Sequence, residues 1–159
     1  MKFNVLLVAL LAFVGTQLSA YAAESSAGGF KRLRQEKYLI YYTGTATMTG
    51  SFVRRLDKET LEKQGDMLCF FPKGASASLV PRPKGDPRLA WFCFSNQKKA
   101  KTLLKANDDK PKGSCGMQGE ATLVVSHYIV NSQAAEVFDT ARLVKVISSP
   151  GARALPCKK

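Results

Sequence analysis

One histidine and one tryptophan in 159 residues mark what this chain has least of. A lone imidazole, His127, excludes a two-histidine metal site and a His/His acid–base pair. The four cysteines, Cys69, Cys93, Cys115 and Cys157, contain no C-x-x-C spacing, which argues against a zinc knuckle or a thioredoxin-like redox motif. G-x-S-x-G, P-loop and H-E-x-x-H patterns are also missing, and no residue pattern calls for a metal or cofactor. Acidic side chains are scarce as well: 12 Asp+Glu face 24 Lys+Arg, a formal charge of +12.

Long apolar runs are confined to the start. Val5–Val14 follows Lys2 and precedes Ala20-Tyr21-Ala22. That stretch has the length of a signal-peptide h-region, too short for a bilayer span, with small residues suited to cleavage after Ala22. Residues 1–22 are therefore expected to be a signal peptide and the remainder an exported protein, periplasmic or secreted. It should have no transmembrane anchor and no lipoprotein cysteine. In an oxidising compartment an even number of cysteines reads as disulfides. Sequence order and the strand pattern favour Cys69–Cys93 and Cys115–Cys157.

Residues 23–37 are small and then basic, with Arg32 and Arg34, and are expected to form a flexible arm before a single domain over 38–159. From Tyr38 the period becomes two. Ala46, Met48, Gly50 and Phe52 share one face and Thr45, Thr47, Thr49 and Ser51 the other. Gly44 and Gly50 suggest a bend or bulge in that strand. A helical turn is expected around Lys58–Lys63. Short strands are expected at Met67–Phe71 and Leu89–Phe94, with a Pro- and Gly-rich loop between them. Asn96 is a candidate N-cap for a helix over Gln97–Ala106, with Ala100, Leu103 and Leu104 as its buried stripe. Strands at Gly119–Val130 and Ala141–Ile147 follow, then an irregular tail from Ser148 pinned by Cys157.

The order is long glycine-bearing strand, two strands, helix, two strands. It resembles the OB-fold, a five-stranded Greek-key barrel, and in particular small OB-like proteins of bacterial periplasms. The resemblance implies a mainly β fold with one short helix. Another α+β domain or a β-sandwich is the alternative. It also implies a ligand face over the second and third strands of that order, flanked by loops at Arg54–Asp66 and Asn131–Glu136.

His127 alternates with Leu123, Val125 and Ile129, so it is expected to pack, and its neighbour Ser126 to point to the opposite face. Asp108-Asp109 reads as a turn after the helix. The cationic surface is the stronger lead. Arg54, Arg55, Lys98, Lys101 and Lys105 are the candidate ligand-binding residues, with Lys110 and Lys112 nearby. Such an excess attracts polyanions (a glycan, lipopolysaccharide or nucleic acid) or an acidic protein partner. Tyr41, Tyr42, Trp91, Phe92 and Phe94 are candidate stacking residues. The expectation is a non-enzymatic binding module. Its alternative is a small secreted hydrolase, acting on nucleic acid, that uses His127 and a carboxylate.

Overall fold

The computed structural model describes residues 29–106, 110–133 and 138–157. The expected signal peptide, Asp108-Asp109 and the end of the 131–136 loop lie outside the described residues.

The alternation from residue 39 onward is interrupted only around Gly44, and Leu39–Arg55 forms one 17-residue strand, β2. Its length lets it serve several partners. Along one edge it pairs with β1 (Phe30–Glu36) and further on with β3 (Leu68–Pro72). Along the other it pairs with β5 (Gly116–Asn131). Strand β3 then pairs with β4 (Phe92–Phe94), β4 runs parallel to β6 (Asp139–Ser148), and β6 returns to β5. The pairings β2–β3–β4–β6–β5–β2 therefore form a closed circuit. Strand β7 (Arg153–Ala154) adds to β5, making one seven-stranded sheet in a mainly β fold. Helix α1 (Lys58–Gln64) links β2 to β3, and α2 (Gln97–Leu103) links β4 to β5.

A strand this long must bend to serve two partners on one edge. Gly44 takes φ +98 where the pairing with β5 slips between Tyr41 and Thr45, a conformation that a side chain would strain. At Gly50 a Cβ would collide with the backbone oxygen of Phe71, so the close approach of β2 and β3 requires its absence. The inward side chains, including Met48, Phe52, Phe70, Phe92, Phe94 and Leu123, are completely buried. Each such large apolar side chain contributes roughly 1.5–3 kcal/mol relative to exposure.

Several expectations need correction. The supposed flexible arm holds β1, whose Phe30 is buried and packs on Tyr128 with ring centroids 5.6 Å apart. One apolar residue at the end of a basic segment was enough to anchor it to the sheet. Leu103 lies on the exposed side of α2, while Ala100 and Leu104 face the core. Asn96 does not cap α2 with its side chain. Its amide instead bonds both backbone groups of Leu143 at 2.9 Å and ties the helix to β6. The tail is less irregular than its prolines suggest, because β7 and Leu155 pair with β5 and its approach. The cysteines join as Cys69–Cys93 and Cys115–Cys157.

Candidate functional site

The five cations singled out by sequence do not form one surface. Arg54 points inward from β2 and is only 9% exposed. Its guanidinium grips Asp66 at 2.7 and 2.8 Å and donates to the Ala106 carbonyl at 2.8 Å. Lys101 reaches the same residue from α2, 2.9 Å from the carboxylate and 2.9 Å from the backbone oxygen. Arg54 and Lys101 are thus engaged with Asp66, which ties β2, α2 and the approach to β3 together. Arg55 bonds Asp57 at 3.0 Å, and Asp57 caps α1 through the Thr60 amide. Lys98 and Lys105 remain exposed, Lys105 with a positive φ where α2 ends.

Hydrogen bonds from Arg54, helped by Lys101, hold the Asp66 carboxyl down at about 2. A carboxyl depressed from 3.8 stabilises the fold above that value, and the contribution disappears as pH falls through about 2. The wild type should therefore exceed Asp66→Asn in stability by a full margin above about pH 5, a margin that shrinks progressively as pH falls through about 2. Urea unfolding across that range checks this, and a margin independent of pH would refute it.

Every carboxylate among the described residues is similarly taken. Glu36 pairs with Arg34, Glu120 with Lys73, and the two glutamates of α1 with Lys58 and Lys63. Asp86 and Asp139 pair with arginines as described below. The positive excess is consequently left on side chains without a carboxylate. Four of these lie on two elements that touch, α2 and β6. Lys98 and Lys99 project from α2, and Lys99 donates to the Val144 carbonyl at 3.0 Å. Arg142 and Lys145, exposed on β6, flank that point. A shallow groove of about 670 Å³ lies along α2, lined by Asn96, Lys98, Lys99, Thr102 and Leu103. Sequence reasoning found Lys98 but missed Arg142 and Lys145. Their signal was the polar alternation of β6, and only the α2–β6 contact joins them to the helix.

The aromatic candidates divide similarly. Tyr42, Phe92 and Phe94 are core, and Tyr41 carries the Arg34 guanidinium 4.1 Å above its ring. Trp91 is partly exposed. It stacks on Phe71, centroids 5.7 Å apart at 11°, and on its other side meets Phe138 at 6.1 Å. The register explains the row. Phe70 pairs with Phe92 and Phe92 with Asp139, so their neighbours Phe71, Trp91 and Phe138 lie side by side. With Phe70 and Phe92 in the core, the strand pleat directs those neighbours outward. Phe71 and Phe138 were not anticipated, although the apolar pair Phe70-Phe71 in a strand must place one ring outside.

Behind this row Asp139, 1% exposed, gathers a buried polar cluster. Tyr128 donates to one carboxylate oxygen at 2.9 Å, and Arg82 donates to the same oxygen. The Asn131 amide donates to the other at 3.0 Å, with Arg88 3.6 Å away. Burial, and after it the Asp139 charge, pushes the Tyr128 phenol well above its ordinary value, so it stays a donor. Arg82 also donates to the Leu89 carbonyl at 2.8 Å, and Arg88 to Asp86 and the Asn131 carbonyl at 2.7 Å. The loop leading into Trp91 is thereby clamped to β5 and β6.

His127 is not packed. It is exposed at φ +49, where the β5–β6 register slips between Ser126 and Ile129. The bulge reverses the alternation, so Tyr128 and Val130 enter the core instead of His127 and Ile129. It also brings Ser126 Oγ to 2.9 Å from His127 Nδ1, the contact that a regular strand forbids. Among the described residues no carboxylate pairs with His127 to serve as the third group that orients a catalytic imidazole.

Comparison with protein-family models, curated proteins and solved structures finds no match for this chain.

Proposed function

We propose that this chain is an exported, non-enzymatic binding module on an OB-like Greek-key barrel, which holds a polyanion at Lys98, Lys99, Arg142 and Lys145. The strand circuit supports the barrel reading: β4 and β6 run parallel, with α2 between them in the chain. The paired cysteines and the N-terminal sequence support export, and no helix among the described residues is long and apolar enough to cross a membrane.

The observation that carries the ligand class is that, among the described residues, every carboxylate has a partner while these four cations face solvent without one. Clustered cations raise the local concentration of anionic ligands and make binding salt-dependent. Reversal of Lys98, Arg142 and Lys145 to Glu should shift elution from immobilised heparin to clearly lower salt. The thermal midpoint should change little, since none of the three holds a carboxylate within the described fold. Unaltered retention in a folded triple variant would defeat the proposal. Lys101 is deliberately left out, because losing it disturbs Asp66.

A further inference from the structure

We infer that the groove along α2 holds an alkyl chain, which makes the anion bound at Lys98, Lys99, Arg142 and Lys145 the phosphate head of a lipid. The inference rests on the polyanion-binding reading and names its ligand. Lys98, Lys99, Thr102 and Leu103 recur at helical spacing and form one face of α2, turned away from the buried Ala100 and Leu104. The groove they line with Asn96 and Gln97 has about 670 Å³, within the range of small-ligand sites.

Which ligand fits depends on the polar groups still available in that groove. The Gln97 amide donates to the Leu68 and Phe94 carbonyls and accepts from the Leu68 amide. Asn96 is committed to both backbone groups of Leu143, and the Thr102 hydroxyl donates to the Lys98 carbonyl. The walls therefore offer mainly carbon: the Leu103 side chain, 41% exposed, and the methylene stems of Lys98 and Lys99. A sugar or a base entering such a groove loses water without regaining its hydrogen bonds. An alkyl chain has none to lose.

The charges lie toward β6. Lys99 spends one of its three donors on the Val144 carbonyl, which brings its ammonium to that strand. Lys145 follows Val144 directly, and Arg142 precedes it by two residues, roughly 7 Å along the strand. Val144 is the extra residue of a bulge, because its neighbours Leu143 and Lys145 pair with the consecutive Val125 and Val124. Its side chain is 38% exposed and adds apolar surface where Lys99 meets β6. Carbon along the helix and cations at the strand contact complement an apolar tail with a strongly anionic head. A phosphate monoester carries about −1.5 to −2 charges at pH 7, and its oxygens suit the guanidinium fork of Arg142.

Calorimetric titration of the full chain with octyl, decyl and dodecyl phosphate, each below its micelle concentration, tests this. One equivalent should bind, with affinity rising roughly two- to fourfold per added methylene as the chain leaves water. Dodecyl maltoside, which has the same tail and no charge, should bind roughly 10-fold more weakly or worse. Leu103→Gln keeps helix propensity and should flatten the rise with chain length while leaving heparin retention unchanged. The chain-length series on the wild type decides the matter if that variant unfolds. Alkyl phosphates that bind regardless of chain length, or in many equivalents, while heparin is still retained overturn the lipid inference and leave the polyanion reading standing. Equal affinity for dodecyl maltoside and dodecyl phosphate overturns it in favour of a neutral apolar ligand. Binding to phosphatidylglycerol vesicles with none to dodecyl phosphate overturns it in favour of a bilayer surface. Binding of neither heparin nor any alkyl phosphate overturns both readings.

Discussion

Asp139→Asn should cost this protein about 3–5 kcal/mol, the range for removing one partner from a buried ion pair. Four groups converge on that carboxylate: the Tyr128 hydroxyl, Arg82, Arg88 and the Asn131 amide. Asparagine keeps the shape and one acceptor oxygen but removes the negative charge. Arg82, whose side chain is 17% exposed, is then left as a largely desolvated cation without its counter-ion. Against a typical total of about 5–15 kcal/mol, a loss of that size would shift the denaturation midpoint strongly. Tyr128→Phe makes the informative companion. It deletes one hydrogen bond to Asp139 and leaves the other donors, so about 1–2 kcal/mol is expected. Guanidinium unfolding of both variants checks the order. If Asp139→Asn proves no worse than Tyr128→Phe, the cluster is held by shape and hydrogen bonding, with little from charge.

Removing the second disulfide should have a comparable effect. Cys115 and Cys157 are separated by 42 residues, which the chain-entropy account values at about 4 kcal/mol. The rest of the tail's attachment is slight: two β7 residues pair with β5, Leu155 exchanges bonds with Cys115 and Gly116 at 2.8 and 2.9 Å, Ser149 bonds the Glu120 carbonyl and Ala152 packs on the core. A Cys115→Ser/Cys157→Ser variant should therefore melt earlier and lose its C-terminal segment first under limited proteolysis. The pair Cys69–Cys93 behaves differently because it joins residues already opposite each other in β3 and β4. Cys93 is fully buried, whereas Cys157 is exposed. Mild reductant should accordingly open Cys115–Cys157 well before Cys69–Cys93, as alkylation and mass mapping at timed intervals would show. Simultaneous opening would mean that the sheet breathes enough to expose Cys93, and the accessibility argument would fail.

Much of the core was legible in the sequence. The inward set of β2 and the two phenylalanine-rich strands follow from a period of two, and the order of strands favoured the cysteine pairing that is found. Where the period broke, the reading broke with it. A bulge at Ser126–His127 cannot be seen in a string of residues with regular polarity, so the face of the lone histidine was misassigned. Phe30 illustrates the reverse case. Composition marked residues 23–37 as an arm, but one buried ring and a pairing partner made Phe30–Glu36 a strand.

The scarcity of acidic residues, evident from composition, determined that this protein carries a large positive excess. It did not determine where that excess is available. Ion pairs are a matter of distance, and the fold assigned Arg54 and Lys101 to Asp66 while leaving Lys98, Lys99, Arg142 and Lys145 without a carboxylate among the described residues, on two elements that touch. Likewise, local alternation determines that a strand has an outer ring, whereas only the register of β3, β4 and β6 sets Phe71, Trp91 and Phe138 in one row. Charge and periodicity are local properties of the chain. The availability of a cation and the alignment of three rings depend on neighbours distant in sequence, so the tertiary structure alone decides them.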